Sequence, residues 1–489
     1  MWTLYACGLD PKTFRDNEAA IVHNTYPDKE NIPKMIWTTN YFRLACQTMF
    51  TLFYAGKDFA PKCILDGKNI SDYLQEHFTG ACKHLAMRIK EASDLVDDVV
   101  IGWESLNEPN KGMIGWQDLT VIPKDQRLRR GTCPTPWQAI LLGAGRPQEV
   151  DTWDIKWNGP AKTGHTTVNE KKISAWLNTR DYDTKYGWTR DPDWKLGECI
   201  WAQHGIWDTS SDTLLRKDYF ARDPQNGEAI DYAYFANNWF IGLFRRYKDA
   251  IREVHPKAII ICQGPTLEIP PSLKDTPLHD PNMAAALHWY DGMTLLFKKW
   301  NYWYTMDIIG MMRGKYSQEW MAIKFGGAAV IKKCFRDQFI FMREEASEKM
   351  GGIPVIFTET GSPQDLSDKQ AYQTGNFADQ IASLDSVHFA LEQSKIQGYT
   401  LWNYTENVSR TPILSFLPVT RLTTPSTLTN GATTGTTKTS LSTALTTNSS
   451  LCSTQPPANR PHSKASTNNN YRAQKSWKSP AAPYPSHLP

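Results

Sequence analysis

The chain has no uninterrupted apolar run of the ~20 residues that a membrane-crossing helix requires. Its start, Met1-Trp2-Thr3-Leu4, offers no basic stretch followed by an apolar core, so no secretory leader is read there. Paired cysteine spacing is also missing. The nine cysteines (Cys7, Cys46, Cys63, Cys82, Cys133, Cys199, Cys262, Cys334, Cys452) are odd in number and show no CxxC pattern. That argues against a disulfide framework or zinc site and for buried thiols of an intracellular protein, in cytoplasm or vacuole. Without a leader, the sequons at Asn69, Asn403 and Asn407 carry little weight. Charge of one sign is scarce too: 54 Lys and Arg face 51 Asp and Glu, so net charge makes no case for nucleic acid or an anionic membrane.

What the chain has in quantity is aromatic surface, 12% of residues and 19 Trp among them. Indole faces match the C–H faces of pyranose rings, although any single Trp is better read as core. Helical apolar spacing alternates with short β-branched runs. Residues 35–56 read as a buried helix closed by Gly56, and 72–98 as a helix leading into VVIGWESL. Tyr234–Pro256 precedes AIIICQGP; Val330–Gly352 precedes IPVIFTETG; Phe377–Gly398 precedes YTLWNYT. Helix-then-strand repetition of this kind predicts a parallel sheet with helices outside it. Five strands are legible, at Glu108, Gln263, His288–Tyr290, Glu359 and Trp402, where a closed barrel needs eight. Residues 111–222 read as an insertion over the catalytic face. Residues 294–325 read as a second insertion, an amphipathic helical lid, with a lipid-contacting flap as the alternative.

Two carboxylates carry the chemistry. Glu108 in IGWESLNEPN and Glu359 in IPVIFTETGSP each follow a strand-like run and precede a turn signal, Pro109 or Gly361. In a (β/α) barrel that is where a strand hands residues to the catalytic face. One carboxylate on each of two strands is the minimum for glycosidic cleavage: one protonates the leaving oxygen, the other attacks or stabilises the anomeric carbon. Asn107 adds an amide suited to a sugar hydroxyl.

The stretches WTLYACGLDP, IWTTNYFRLACQTMFTLFYAGKDFAPKC, GWESLNEPNKGMIGW, LLGAGRPQEVDTW, WKLGECIWAQHGIWD, LHWYD, FTETGSP and YTLWNY resemble family-five glycoside hydrolases. More closely they resemble the fungal branch related to endoglycoceramidases, which cleaves glucosylceramide and steryl β-glucosides. The resemblance runs from Trp2 to about Tyr404 and implies an incomplete (β/α)8 TIM-barrel glycosidase, strands four to eight plus insertions. It implies Glu108 as general acid/base, Glu359 as nucleophile, and Asn107, His288, Tyr290 and Trp402 as substrate-binding residues, with Tyr290 touching the nucleophile. It also implies a retaining β-glycosidase for a β-glucoside with a lipid aglycone, needing no metal or organic cofactor. The partner implied is a glycolipid or other β-glucoside, with peripheral membrane contact as an option and no obligate protein partner.

The chain departs from this pattern at both ends. It starts after the segment holding strands one to three. After Tyr404 a Thr-, Ser- and Pro-rich stretch, 405–489, reads as a disordered tail. Val408-Ser409 permits a splice-donor codon pattern, and the codons of Thr427–Leu441, read one frame over, permit the family continuation Ser-His-Glu-Trp-Gly-Asp; a retained intron and shifted frame are therefore expected. The rival expectations are a catalytically dead truncated or mis-spliced fragment, aggregating through its open strand edges, and an endo-acting β-glucanase or endoglycoceramidase.

Overall fold

The computed structural model describes residues 1–21, 32–33, 36–92, 95–124, 126–156 and 159–403. The expected tail and its shifted frame, 405–489, lie outside the described residues.

Five parallel strands form the centre: β1 (Gly102–Glu104), β2 (Ile259–Gln263), β3 (Met283–Tyr290), β4 (Val355–Gly361) and β5 (Gly398–Leu401). Their spatial order is β5-β4-β3-β2-β1, so each new strand joins its predecessor. Among the described residues this is an open arc of a (β/α) barrel with β1 and β5 at its edges, where Ile101, Tyr399 and Leu401 are exposed. Strand β3 is buried on both faces, which is why MAAALHWY reads as a continuous apolar run, while β2 alternates buried Ile260 and Cys262 with half-buried Ile259 and Ile261.

The outer layer comprises α1 (Leu44–Phe59), α2 (Ile70–Glu91), α3 (Ile241–Val254), α4 (Gly327–Lys349) and α5 (Ala378–Gln393). The expected helix over 35–56 is in fact two pieces, a 3-10 segment Ile36–Phe42 followed by α1, and Gly56 does not close it. Gly56 is needed for close approach instead: a Cβ there would meet Asn69 Oδ1 and Ile70 at 2.9 Å. Asn69 itself starts α2, its side chain accepting the Ser71 N–H at 3.0 Å. On α3 the buried Leu243, Phe244, Tyr247, Ile251 and Val254 recur at helical spacing. Tyr247 donates its hydroxyl to the Glu104 carbonyl at 2.6 Å, which ties the helix layer to the end of β1.

On β3 the side chains alternate. Trp289 points outward, with its ring 4.7 and 4.9 Å from Phe335 and Phe339 of α4. His288 and Tyr290 therefore point to the opposite, inner face. Opposite them β4 bulges: Leu287 pairs with Phe357 but His288 pairs with Glu359, leaving Thr358 as the extra residue.

The region 111–222 holds a three-stranded antiparallel sheet (Gly131–Thr132, Gln148–Lys156, Gly159–Val168), short helices and a small hairpin. The region 294–325 differs from the helical lid expected. It places short helices (Gly292–Phe297, Ile308–Met312) around a β-hairpin, Tyr304–Met306 against Ile323–Phe325. Aromatic and β-branched residues in those two triplets suit a pleated pair better than a helix. No described helix is long and apolar enough to cross a membrane.

Candidate active site

The inner face of the arc, at the C-terminal ends of the strands, collects polar groups. Glu359 sits within β4 just past the bulge, and Tyr290 at the end of β3 donates its hydroxyl to Glu359 Oε1 at 2.7 Å. The bulge turns two successive β4 residues inward: Thr358 donates to Glu104 Oε1 at 2.7 Å, while Glu359 meets Tyr290. Glu108 is not the last residue of a strand, as its motif suggests. Strand β1 stops at Glu104, and Glu108 lies four residues on, in a loop, at φ +42. That loop is anchored on buried Leu106 and Pro109 and, further on, by the Met113 N–H donating to Thr51 Oγ1 of α1 at 2.9 Å.

His288 joins the two carboxylates. Its Nδ1 is 3.0 Å from Glu108 Oε1 and 3.7 Å from Glu359 Oε2, and its Nε2 is 3.8 Å from Glu104 Oε1. One oxygen of Glu108, one of Glu359 and one ring nitrogen of His288 all lie within 4.8 Å of one another. His288 is only 4% exposed. Burial opposes its charged form, yet the hydrogen bonds to Glu104 and Glu108 and the charges of Glu108 and Glu359 outweigh burial and push its pKa up to about 9. A protonated imidazole donates from both nitrogens, and Gln263 completes that picture. Its Nε2 lies 3.0 Å from His288 Nε2 while its buried Oε1 has no partner. Turning the amide over gives Nε2–H an acceptor and satisfies the orphan oxygen in one move.

Burial pushes the Glu359 carboxyl up, and Glu108 and Glu104 add to this; the His288 charge and the Tyr290 hydrogen bond pull the other way. Glu108, His288 and Glu359 also have the donor types and spacing to hold a cation. A metal would first have to displace the proton from His288, so the donor set suits a charged imidazole better than a ligand.

Trp402 follows β5 directly and is half-buried; its N–H donates to the Thr360 carbonyl at 2.8 Å. This approach requires Gly361, at φ +152, because a Cβ there would meet the Trp402 carbonyl oxygen at 2.9 Å. Asn107 is exposed beside Glu108. Three further residues at the site were not among those expected: Glu104, Gln263 and Tyr41, whose hydroxyl stands 3.5 Å from Glu108 Oε2. Glu104 ends a strand four positions before Glu108, and that placement was a usable signal. Tyr41 lies in a 3-10 segment far from either carboxylate motif, and no spacing marks it.

No family model matches the chain. A glucosylceramidase of Aspergillus fumigatus is 55% identical to it over 404 residues, 83% of this chain and 53% of that protein. An ergosteryl-beta-glucosidase of Saccharomyces cerevisiae is 41% identical over 423 residues, 83% of this chain and 54% of that protein. The crystal structure of sterylglucosidase 1 of Cryptococcus neoformans superposes with a TM-score of 0.79 at 39% identity, covering 83% of this chain and 58% of that one. The chain thus spans about half the length of the curated relatives it matches.

Proposed function

Since the chain belongs to the family of fungal glucosylceramidases and steryl-β-glucosidases, we propose that its site hydrolyses the β-glucosidic bond of a lipid-linked glucose with net retention. The observation that carries this reading is the approach of Glu108 and Glu359, with one oxygen of each within 4.8 Å of the other. Retaining pairs stand about 5–5.5 Å apart, and inverting pairs about 6.5–9.5 Å, which leaves room for a water between them.

In this reading Glu359 attacks the anomeric carbon. Glu108 delivers a proton to the departing oxygen, which leaves with the aglycone as an alcohol. Glu108 would pass that proton from Oε2, since Oε1 accepts from His288. Glu108, now a base, takes a proton from water, and the resulting hydroxide displaces Glu359 from the sugar. Tyr290 and His288 stabilise the Glu359 carboxylate before attack and after release. Asn107 holds a sugar hydroxyl and Trp402 underlies the ring.

The lipid aglycone rests on the likeness to glucosylceramide- and steryl-glucoside-cleaving relatives; a small packed apolar cluster, buried Ile155 and Leu296 with half-buried Trp37, Leu295 and Phe297, stands apart from the main core. Its segments adjoin the site. Trp37 is four residues before Tyr41, and Leu295 is five after Tyr290. A sterol and a ceramide both demand only an apolar slot, so assays on both substrates decide between them. The test of mechanism is the first-formed anomer from an aryl β-glucoside, followed by NMR. β-Glucose is expected before mutarotation; α-glucose would exclude the retaining pair. Glu359→Gly with azide is expected to yield the α-glucosyl azide, and Glu108→Ala with azide the β-glucosyl azide.

A further inference from the structure

The hairpin between β3 and α4 carries aromatic side chains that the fold does not cover. Trp303 is 76% exposed, Phe325 68% and Trp320 65%, with Tyr302 and Met321 also exposed. Elsewhere in the protein large side chains of this kind are mostly core: Trp194, Trp201, Trp207 and Trp289 are fully buried. Within the segment itself Trp300 is buried, so the exposure is selective. Trp303 and Phe325 share one end of the hairpin, where the Trp303 carbonyl accepts the Gly326 N–H at 2.9 Å. Trp320 and Met321 lie on the turn entering its other end. Each strand has three residues, so only about 10 Å separates the two ends.

Topology puts this hairpin at the catalytic end of the sheet. The segment leaves from the end of β3 beside Tyr290 and returns at the start of α4. Lys298 pairs with Asp365, just past the end of β4, at 2.9 Å, and Tyr302 donates to Asp379 at the start of α5 at 2.7 Å. The charge around the aromatics is positive. Lys299 is exposed and Lys324 half-exposed, neither paired with a carboxylate among the described residues, whereas Lys315 is exposed but paired with Asp307 at 3.1 Å; the exposed acid of the segment, Glu319, faces Arg127 at 3.7 Å.

We propose that this hairpin is a membrane-docking surface, which seats Trp303, Trp320 and Phe325 at the headgroup level of an anionic bilayer while the lysines meet its negative charge. Indole and phenyl rings favour that interface, and basic residues add attraction to anionic lipid within a Debye length. The proposal goes beyond the hydrolase reading, because vesicle binding requires nothing of Glu108 or Glu359. It would bring the mouth of the site to the height at which a lipid-linked sugar leaves a bilayer.

The test is sedimentation of the full chain with phosphatidylcholine vesicles containing or lacking phosphatidylserine, and no glycolipid. Binding is expected with phosphatidylserine and weaker binding without it. The variant Trp303→Ser/Trp320→Ser/Phe325→Ser, altered only at exposed positions, is expected to partition about tenfold less or lower, with unchanged melting. Lys299→Gln/Lys324→Gln is expected to lose about tenfold on anionic vesicles alone. A native chain left in the supernatant with both vesicles, or a triple variant that binds as well as the native chain, overturns the proposal. So does self-association of the native chain that the triple variant abolishes without a change in vesicle binding, for then the face meets a second copy.

Discussion

Replacing His288 by Asn keeps an N–H near the position of Nδ1 but removes the positive charge between three carboxylates. In an unfolded chain a histidine titrates near ~6.5, whereas His288 in the fold is pushed up to about 9. At 1.36 kcal/mol per unit, that difference is worth roughly 3 kcal/mol of stability in favour of the charged form. The sign follows from linkage. The contribution is fully present below the unfolded value, declines as pH rises above it, and is gone once pH passes through about 9. The native chain should therefore lose stability relative to His288→Asn between pH 6 and 10 on the order of those 3 kcal/mol. Any cavity left by the smaller side chain adds a cost that does not vary with pH, so the slope separates charge from packing. Melting followed by circular dichroism at pH 6, 7, 8, 9 and 10 measures it. A difference that stays constant across the range would refute the charged imidazole and the role given to Glu104 and Gln263 around it.

Tyr290→Phe removes a charge-assisted hydrogen bond worth about 1.5–3 kcal/mol; the Glu359 carboxyl then rises further, so kcat/KM should fall and its acid limb move to higher pH. Glu104→Gln takes away one of the acceptors that raise His288, and NMR titration of the imidazole should show its midpoint below that of the native chain. Arg43→Met breaks the pair between buried Arg43 and half-buried Glu18 (2.7 Å) and a second bond to the Thr132 carbonyl (2.7 Å). Glu18 is partly solvated and keeps the Thr132 hydroxyl, so the loss should be about 1–3 kcal/mol in melting experiments, and activity should suffer as well because Tyr41 is two residues away. Glu359→Gln should abolish turnover of an aryl β-glucoside in a steady-state assay; full activity would remove the nucleophile assignment.

Local physics was legible in the residues alone. Helical spacing followed by short β-branched or aromatic runs marked four of the five strands, and the apolar run of MAAALHWY, buried on both faces, marked the fifth. The turn residue Gly361 marked where β4 leaves the sheet, whereas Pro109 falls five residues past the end of β1, and the His-Trp-Tyr order of 288–290 carried its own alternation. What depended on long-range contacts was not legible. Glu108 and Glu359 are 251 positions apart, and only the parallel order of the strands brings their oxygens within 4.8 Å. The bulge at Thr358 is a property of the β3–β4 pair and not of either strand, yet it aims both Thr358 and Glu359 inward. Glu108 reaches the site from a left-handed loop position that its motif does not announce, held by contacts to α1. Residues 294–325 looked helical by composition; pairing between two short triplets 17 residues apart overrode that preference and left Trp303, Trp320 and Phe325 facing outward. Sequence determines what each segment can bury. Which side chains remain exposed, and which charges must share one imidazole, is settled only when distant segments compete for the same space.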